Sequence, residues 1–282
     1  MELLIAASLS ALAVIVVAIS KPWRNPARRA EGLHLLKGLR QLLEHLQQHR
    51  GLSTGYLGGD RSLKPKVDQT RASIRADLHN LDASSLSCHE RWVSFTDHWS
   101  RLEGSALTLP VSDNIKQHNQ LIANMLQLIE DIAAHHNLLF VTHPGDGVST
   151  LWRELLYTTE WLGQARALGT GIAAAGQSTG VERIRLGFLC ERIEALSSIA
   201  HADLNGHNQN GLRSLKDAGR TVSVLLSVIE TEFLSAAAPK LPATAYFDQA
   251  TKNRTEEPPN DVDVDEILEI LRAAFPNGRL AW

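Results

Sequence analysis

Hydrophobic positions along this chain recur almost throughout at helical spacing. Leu33, Leu36, Leu39, Leu42, Leu43 and Leu46 share one face, with Lys37, Arg40, Gln41 and Glu44 filling the other. The pattern predicts one long helix closed by Gly58-Gly59-Asp60. Pro65 opens a second helix whose apolar positions are Val67, Ile74, Leu78 and Leu81. A third, over about 86–102, sets Trp92, Phe95 and Trp99 at i, i+3 and i+7, the spacing of core residues. The stretch from Gly104 to Pro110 connects it to a long helix over 113–140, with Ile115, Ile122, Met125, Leu126, Ile129 and Ile132 inward. Four helices make a first bundle. His143-Pro144-Gly145-Asp146-Gly147 is the clearest turn cluster and marks the boundary. Beyond it come helices over 151–175, 181–202 and 212–234, then a last one entered at Pro239 and Pro242 and running through Arg254. In the helix over 181–202, Ile184, Phe188, Ile193 and Leu196 are the expected core. Arg183, Arg185, Glu191, Arg192 and Glu194 read as a solvated, paired face.

The two ends differ from this middle. Leu3 to Ile19 is apolar except for Ser8 and Ser10, just long enough to cross hydrocarbon. No basic leader precedes it and Val17-Ala18-Ile19-Ser20 fits a cleavage site poorly, so an uncleaved anchor is favoured over a signal peptide. Lys21, Arg24, Arg28 and Arg29 follow directly, which places the C-terminal side in the cytoplasm by the positive-inside rule. The expected localisation is therefore the inner (cytoplasmic) membrane, single-pass, with the bilayer contacted through residues 3–19. At the other end, Thr255-Glu256-Glu257-Pro258-Pro259-Asn260 reads as an acidic linker to an amphipathic helix carrying Val262, Ile267, Leu268, Ile270, Leu271 and Phe275. That helix either docks on the second bundle or binds a partner. The expected fold class is all-α, an N-terminal transmembrane helix followed by two stacked four-helix bundles. Its divisions are an anchor and basic segment over 1–29, bundles over 30–142 and 148–254, and a tail over 255–282.

Composition narrows the function classes. The chain has 282 residues, a formal net charge of −3, a hydrophobic fraction of 44% and an aromatic fraction of 5%. That is ample for one large or two small cores, and near-neutral charge with few aromatics argues against a nucleic-acid partner, whose binder would normally show a basic face. Cys88 and Cys190 lie far apart and read as buried free thiols or one long-range disulfide. The twelve histidines are scattered, and adjacent His135 and His136 should point their rings apart on a helix. No metal-ligand spacing stands out, so neither a metal nor a cofactor is expected. No Ser-His-Asp, paired-carboxylate or phosphate-loop pattern stands out either, which makes an enzyme the least favoured class.

One pattern does carry chemistry. Gln48-His49-Arg50-Gly51-Leu52-Ser53-Thr54-Gly55 ends the first long helix. Gln164-Ala165-Arg166-Ala167-Leu168-Gly169-Thr170-Gly171 repeats it in the second half. On a helix, Arg50, Ser53 and Thr54 share a face, as do Arg166, Gly169 and Thr170. Helix-interior glycines cost roughly 1 kcal/mol each against alanine, so their recurrence implies close approach of another helix or of a ligand. An arginine drawn into such a seam needs an anion. Glu160 lies six residues before Arg166, off its face, which leaves Arg166 to a ligand. Two arginines with hydroxyls alongside would suit one small planar anion.

These two arginine motifs resemble those of the nitrate- and nitrite-sensing (NIT) domain family of bacteria, over about residues 30 to 254. The resemblance implies an all-helical fold of two four-helix bundles, with nitrate or nitrite bound between arginines from both. Carried over by position, Arg50 and Arg166 are the expected anion ligands, with Ser53, Thr54 and Thr170 beside them. Arg254, after Tyr246 and Thr251, is a further candidate. Some members have a second arginine just before the first; here His49 stands there, which implies weaker or pH-dependent binding. The expected function is a membrane-anchored nitrate or nitrite sensor that signals by conformational change. No kinase motif or helix-turn-helix is recognisable, so an effector protein is the expected recipient, and a second copy of the chain is a further candidate partner. The rival reading is a membrane-tethered helical scaffold that has lost anion binding.

Overall fold

A computed structural model of the chain describes residues 26–136, 138, 148–204 and 222–252. Within them, secondary structure is entirely helical. Helix α1 (Pro26–Gly58) is followed by a 3₁₀ turn (Arg61–Leu63) and α2 (Lys64–Asp82). A second 3₁₀ turn (Ser85–Cys88) leads to α3 (Glu90–Ser105), then α4 (Val111–His135). The second half holds α5 (Val148–Ala175) and α6 (Gly180–Leu204). Then come α7, helical from 222 and ending in a π turn (Glu230–Leu234), and α8 (Ala243–Lys252).

Helix α1 organises the rest. Its 33 residues make a rod about 50 Å long at 1.5 Å per residue. Gly59, at φ +129°, turns the chain out of it, a conformation that favours glycine. Asp60 then accepts from the Ser62 amide, and Pro65 opens α2 where its missing N–H costs nothing. Helices α2 and α4 run antiparallel to α1. Gly38 lies against Leu81 and Gly32 against His136, while toward the other end Gly55 meets Leu63 and Ser53 meets Asn114. The first apolar cluster sits among α1–α4, with Leu39, Leu42, Leu46, Trp92, Phe95, Trp99 and Met125 buried. Burying each such large side chain is worth roughly 1.5–3 kcal/mol. A second cluster joins α5–α8 through Leu168, Ile172, Leu186, Leu189, Ile193, Ile229, Phe233 and Tyr246.

Several expectations need correction. Helix α6 turns a different face inward: Leu186, Leu189 and Ile193 are buried, whereas Ile184 is 76% and Phe188 57% exposed. Apolar residues surround this helix, so periodicity offers no single phase. Two of its arginines engage groups other than carboxylates. Arg183 donates to Ser178 Oγ and to the carbonyls of Ala236 and Ala237, and Arg192 lies over the Trp161 ring at 4.3 Å. Helix α4 ends at His135 rather than near 140. With His136 in the turn, the two rings meet edge to face with centroids 5.0 Å apart instead of diverging. The thiols are free, but Cys88 is exposed and Cys190 half-buried. Burial raises the Cys190 thiol to about 11. No described helix is long and apolar enough to cross a membrane. The apolar run 3–19, the turn cluster 143–147, Arg254 and the tail lie outside the described residues.

Candidate functional site

The two copies of the arginine motif pack directly on each other. Helices α1 and α5 run parallel here, and equivalent positions meet along the seam: Gly51 lies against Ala167, Gly55 against Thr170, Gly171 against Thr54 and Gly58 against Ala174. A Cβ on Gly171 would stand 2.8 Å from the Thr54 methyl, and one on Gly55 2.7 Å from the Thr170 methyl. This close approach is what the small residues provide. The hydroxyls turn back on their own helices. Thr54 and Thr170 donate to the carbonyls of Arg50 and Arg166, each at 2.7 Å. Ser53 also donates to the Arg50 carbonyl, and the buried Asn114 amide donates to both Ser53 and Thr54. Ser53, Thr54 and Thr170 thus line the seam as parts of its packing and backbone hydrogen bonding.

Arg50 is fully buried, and a carboxylate accepts its fork. Its Nη1 donates to Glu160 Oε1 at 2.5 Å and its Nη2 to Glu160 Oε2 at 3.0 Å, while Nη1 also donates to Asn119 Oδ1 at 2.6 Å. Its Nε–H has no acceptor among the described residues. Gln47 and Gln164 complete the surroundings of Glu160. Gln164 Nε2 donates to Oε1 at 2.9 Å and Gln47 Nε2 to Oε2 at 3.0 Å. Each carboxylate oxygen therefore accepts two hydrogen bonds, and the fork-to-fork geometry is the strongest an arginine makes. Gly163 leaves room for the guanidinium: a Cβ there would lie 2.8 Å from Nη2.

Arg166 is also buried but is directed toward α8. Its Nη1 donates to Thr251 Oγ1 at 3.3 Å and its guanidinium lies 5.3 Å from the Phe247 ring centroid. Tyr246 beside it is buried, its hydroxyl donating to the Ala165 carbonyl, and burial pushes its titration far up. The seam thus brings both motifs into the interior, while the two guanidinium groups engage different neighbours.

His49 belongs to a buried hydrogen-bond chain that runs from Arg71 to Asn114. Arg71 Nε can only donate, so His49 Nε2 accepts, at 3.2 Å. His49 Nδ1–H then donates to His118 Nε2 at 2.9 Å, and His118 Nδ1–H donates to the Asn114 carbonyl at 2.8 Å. Burial first, then neighbouring charge, holds His49 well below its usual value and His118 at about 3. Burial thus disfavours the charged form of His49.

Glu160 is the residue that sequence reasoning misplaced. Its distance from Arg166 on one helix is correctly unfavourable, yet its partner is the arginine of the other copy. The signal was present: the repeat extends upstream as Glu44…Gln48-x-Arg50 and Glu160…Gln164-x-Arg166. The structure repeats the pairing too, Gln48 donating to Glu44 as Gln164 does to Glu160. No group of three metal-ligating side chains occurs among the described residues.

These features define a helical protein with a charged centre built where two duplicated helices cross into each other's space. The family model for nitrate and nitrite sensing matches residues 41–256, which covers both motifs and most of the chain. The chain belongs to the nitrate- and nitrite-sensing family. No curated protein and no solved structure matches it.

Proposed function

We propose that this protein is a sensor that binds nitrate or nitrite at the α1–α5 seam and signals by rearranging the two helices. The observation that carries this reading is Arg50, a fully buried guanidinium set in a planar array of donors suited to a two-oxygen anion. Arg166, equally interior on the partner copy, is the second ligand, and Ser53, Thr54 and Thr170 fix the helices that carry both. Two charge-assisted contacts of roughly 1.5–3 kcal/mol each, with neutral donors added, approach the roughly 8 kcal/mol of micromolar affinity. Binding shifts the population of helix arrangements only as far as the anion prefers one of them. The run 3–19 anchors the chain in the inner membrane, and an effector protein reads the change.

A thermal-shift panel with nitrate, nitrite, chloride and sulfate tests this. Stabilisation of about 2.7 kcal/mol is expected at a hundredfold excess over Kd, with nitrate or nitrite and not with chloride or sulfate. Arg50→Ala and Arg166→Ala should each abolish the shift with helicity retained, and an undiminished shift in both would reject the site. The second reading, a helical scaffold without a ligand, is favoured by Glu160, which already balances the Arg50 charge; absence of any anion-specific shift would support it.

A further inference from the structure

The carboxylate of Glu160 sits where a small planar anion would be expected. It is 4% exposed, it lies edge-on to the Arg50 fork, and each of its oxygens takes one bond from arginine and one from a glutamine. The four donors come from both sides of the seam: Arg50 and Gln47 from α1, Gln164 from α5. Nitrate and nitrite offer an arginine the same feature, two oxygens in one plane carrying a shared negative charge. A guanidinium fork accommodates one such pair at a time.

We propose that Glu160 is an internal competitor for the ligand, a tethered anion that occupies the Arg50 fork at rest and must leave it when the external anion binds. This rests on the anion-sensing reading above and adds what the resting state contains. Loss of the Glu160 contact is then the structural signal, because that carboxylate ties α5 to Gln47 and Arg50 on α1. It also tunes affinity: the external anion is bound only to the extent that it outcompetes a group held permanently alongside.

The test is calorimetric titration of the full chain with sodium nitrate, comparing wild type with Glu160→Gln and Arg50→Ala. Gln preserves the shape of the side chain and an acceptor for the fork while removing the competing charge. Nitrate should bind Glu160→Gln at least tenfold more tightly than wild type, and Arg50→Ala should not bind. An unchanged or weakened affinity in Glu160→Gln, with Arg50→Ala inactive, overturns the competitor role while the anion site stands. No binding by wild type or Glu160→Gln overturns the sensing reading itself. Binding by Glu160→Gln alone supports competition strongly. A wild-type measurement covers the case in which the variant does not fold: amide exchange across 160–164 should accelerate at saturating nitrate, and slower exchange there overturns the proposal.

Discussion

At the scale of single residues, burial of charge and of titratable rings governs the behaviour. Removing Glu160 with nothing in its place leaves Arg50 uncompensated in the interior, so Glu160→Ala should cost about 3–5 kcal/mol in denaturant unfolding. The His49–His118 pair makes a pH prediction. His118 is held at about 3, below its unfolded value of 6.5, by desolvation first and by the Arg50, His98 and Arg71 charges, with only the Asn114 carbonyl opposing. A group depressed in the folded state contributes stability fully above its unfolded value and loses it as pH falls toward the folded one. Stability should therefore decline from about pH 6.5 downward, each histidine adding a slope approaching 1.4 kcal/mol per pH unit. Unfolding midpoints at pH 7 and pH 5 measure it; His118→Asn should flatten the slope, and an unchanged slope would remove the pair as its source. Arg50, Ser53 and Thr54 were legible as a helix face because i, i+3 and i+4 spacing is a local property. The Glu160 partnership was not, because it depends on how two distant helices are set in register.

At the scale of elements, the α1–α5 seam is held by reciprocal contacts between small and β-branched residues. Gly171→Ala gains helix propensity of roughly 1 kcal/mol but drives a methyl to 2.8 Å from the Thr54 methyl. Overpacking of this kind costs about 1–3 kcal/mol, so thermal denaturation should show net destabilisation. Thr54→Ser removes the obstructing methyl and keeps the hydroxyl that bonds to the Arg50 carbonyl, so it should rescue Gly171→Ala. Thr170→Ser should not fully rescue Gly55→Ala, because a Leu63 methyl also stands 2.5 Å from the added carbon. Helix boundaries were readable where glycine and proline punctuate them, as at Gly58-Gly59 and Pro65. The inward face of α6 was not, since Val181, Ile184, Leu186, Phe188, Leu189 and Ile193 leave several faces equally apolar. Only packing against α5 and α7 selects Leu186, Leu189 and Ile193.

At the scale of the molecule, two apolar clusters share α4 and α5: Leu121 and Met125 of α4 lie in the first and Ile115 of the same helix in the second. Leu156 and Tyr157 of α5 pack on the first cluster while Leu168 and Ile172 belong to the second. Neither cluster can lose its helices without exposing the other, so unfolding should be a single transition. Leu42→Ala in the first and Phe233→Ala in the second, at about 2–5 kcal/mol each, should both lower one common midpoint. Helicity and tryptophan fluorescence followed together in denaturant check this, and two separated midpoints would divide the chain into independent units. The all-helical class was legible from periodicity alone. The sharing of helices between clusters was not, because a sequence reads as consecutive segments and this architecture joins segments far apart.

Helix α1 is unbroken from Pro26 to Arg50, a distance of about 36 Å along its axis. Under the proposed function, a rod of that length would act as a lever pivoting near the seam. A tilt of about 5° there would sweep the Pro26 end sideways by about 3 Å. On that proposal, the segment ahead of Pro26 would receive a displacement magnified over the one that produced it.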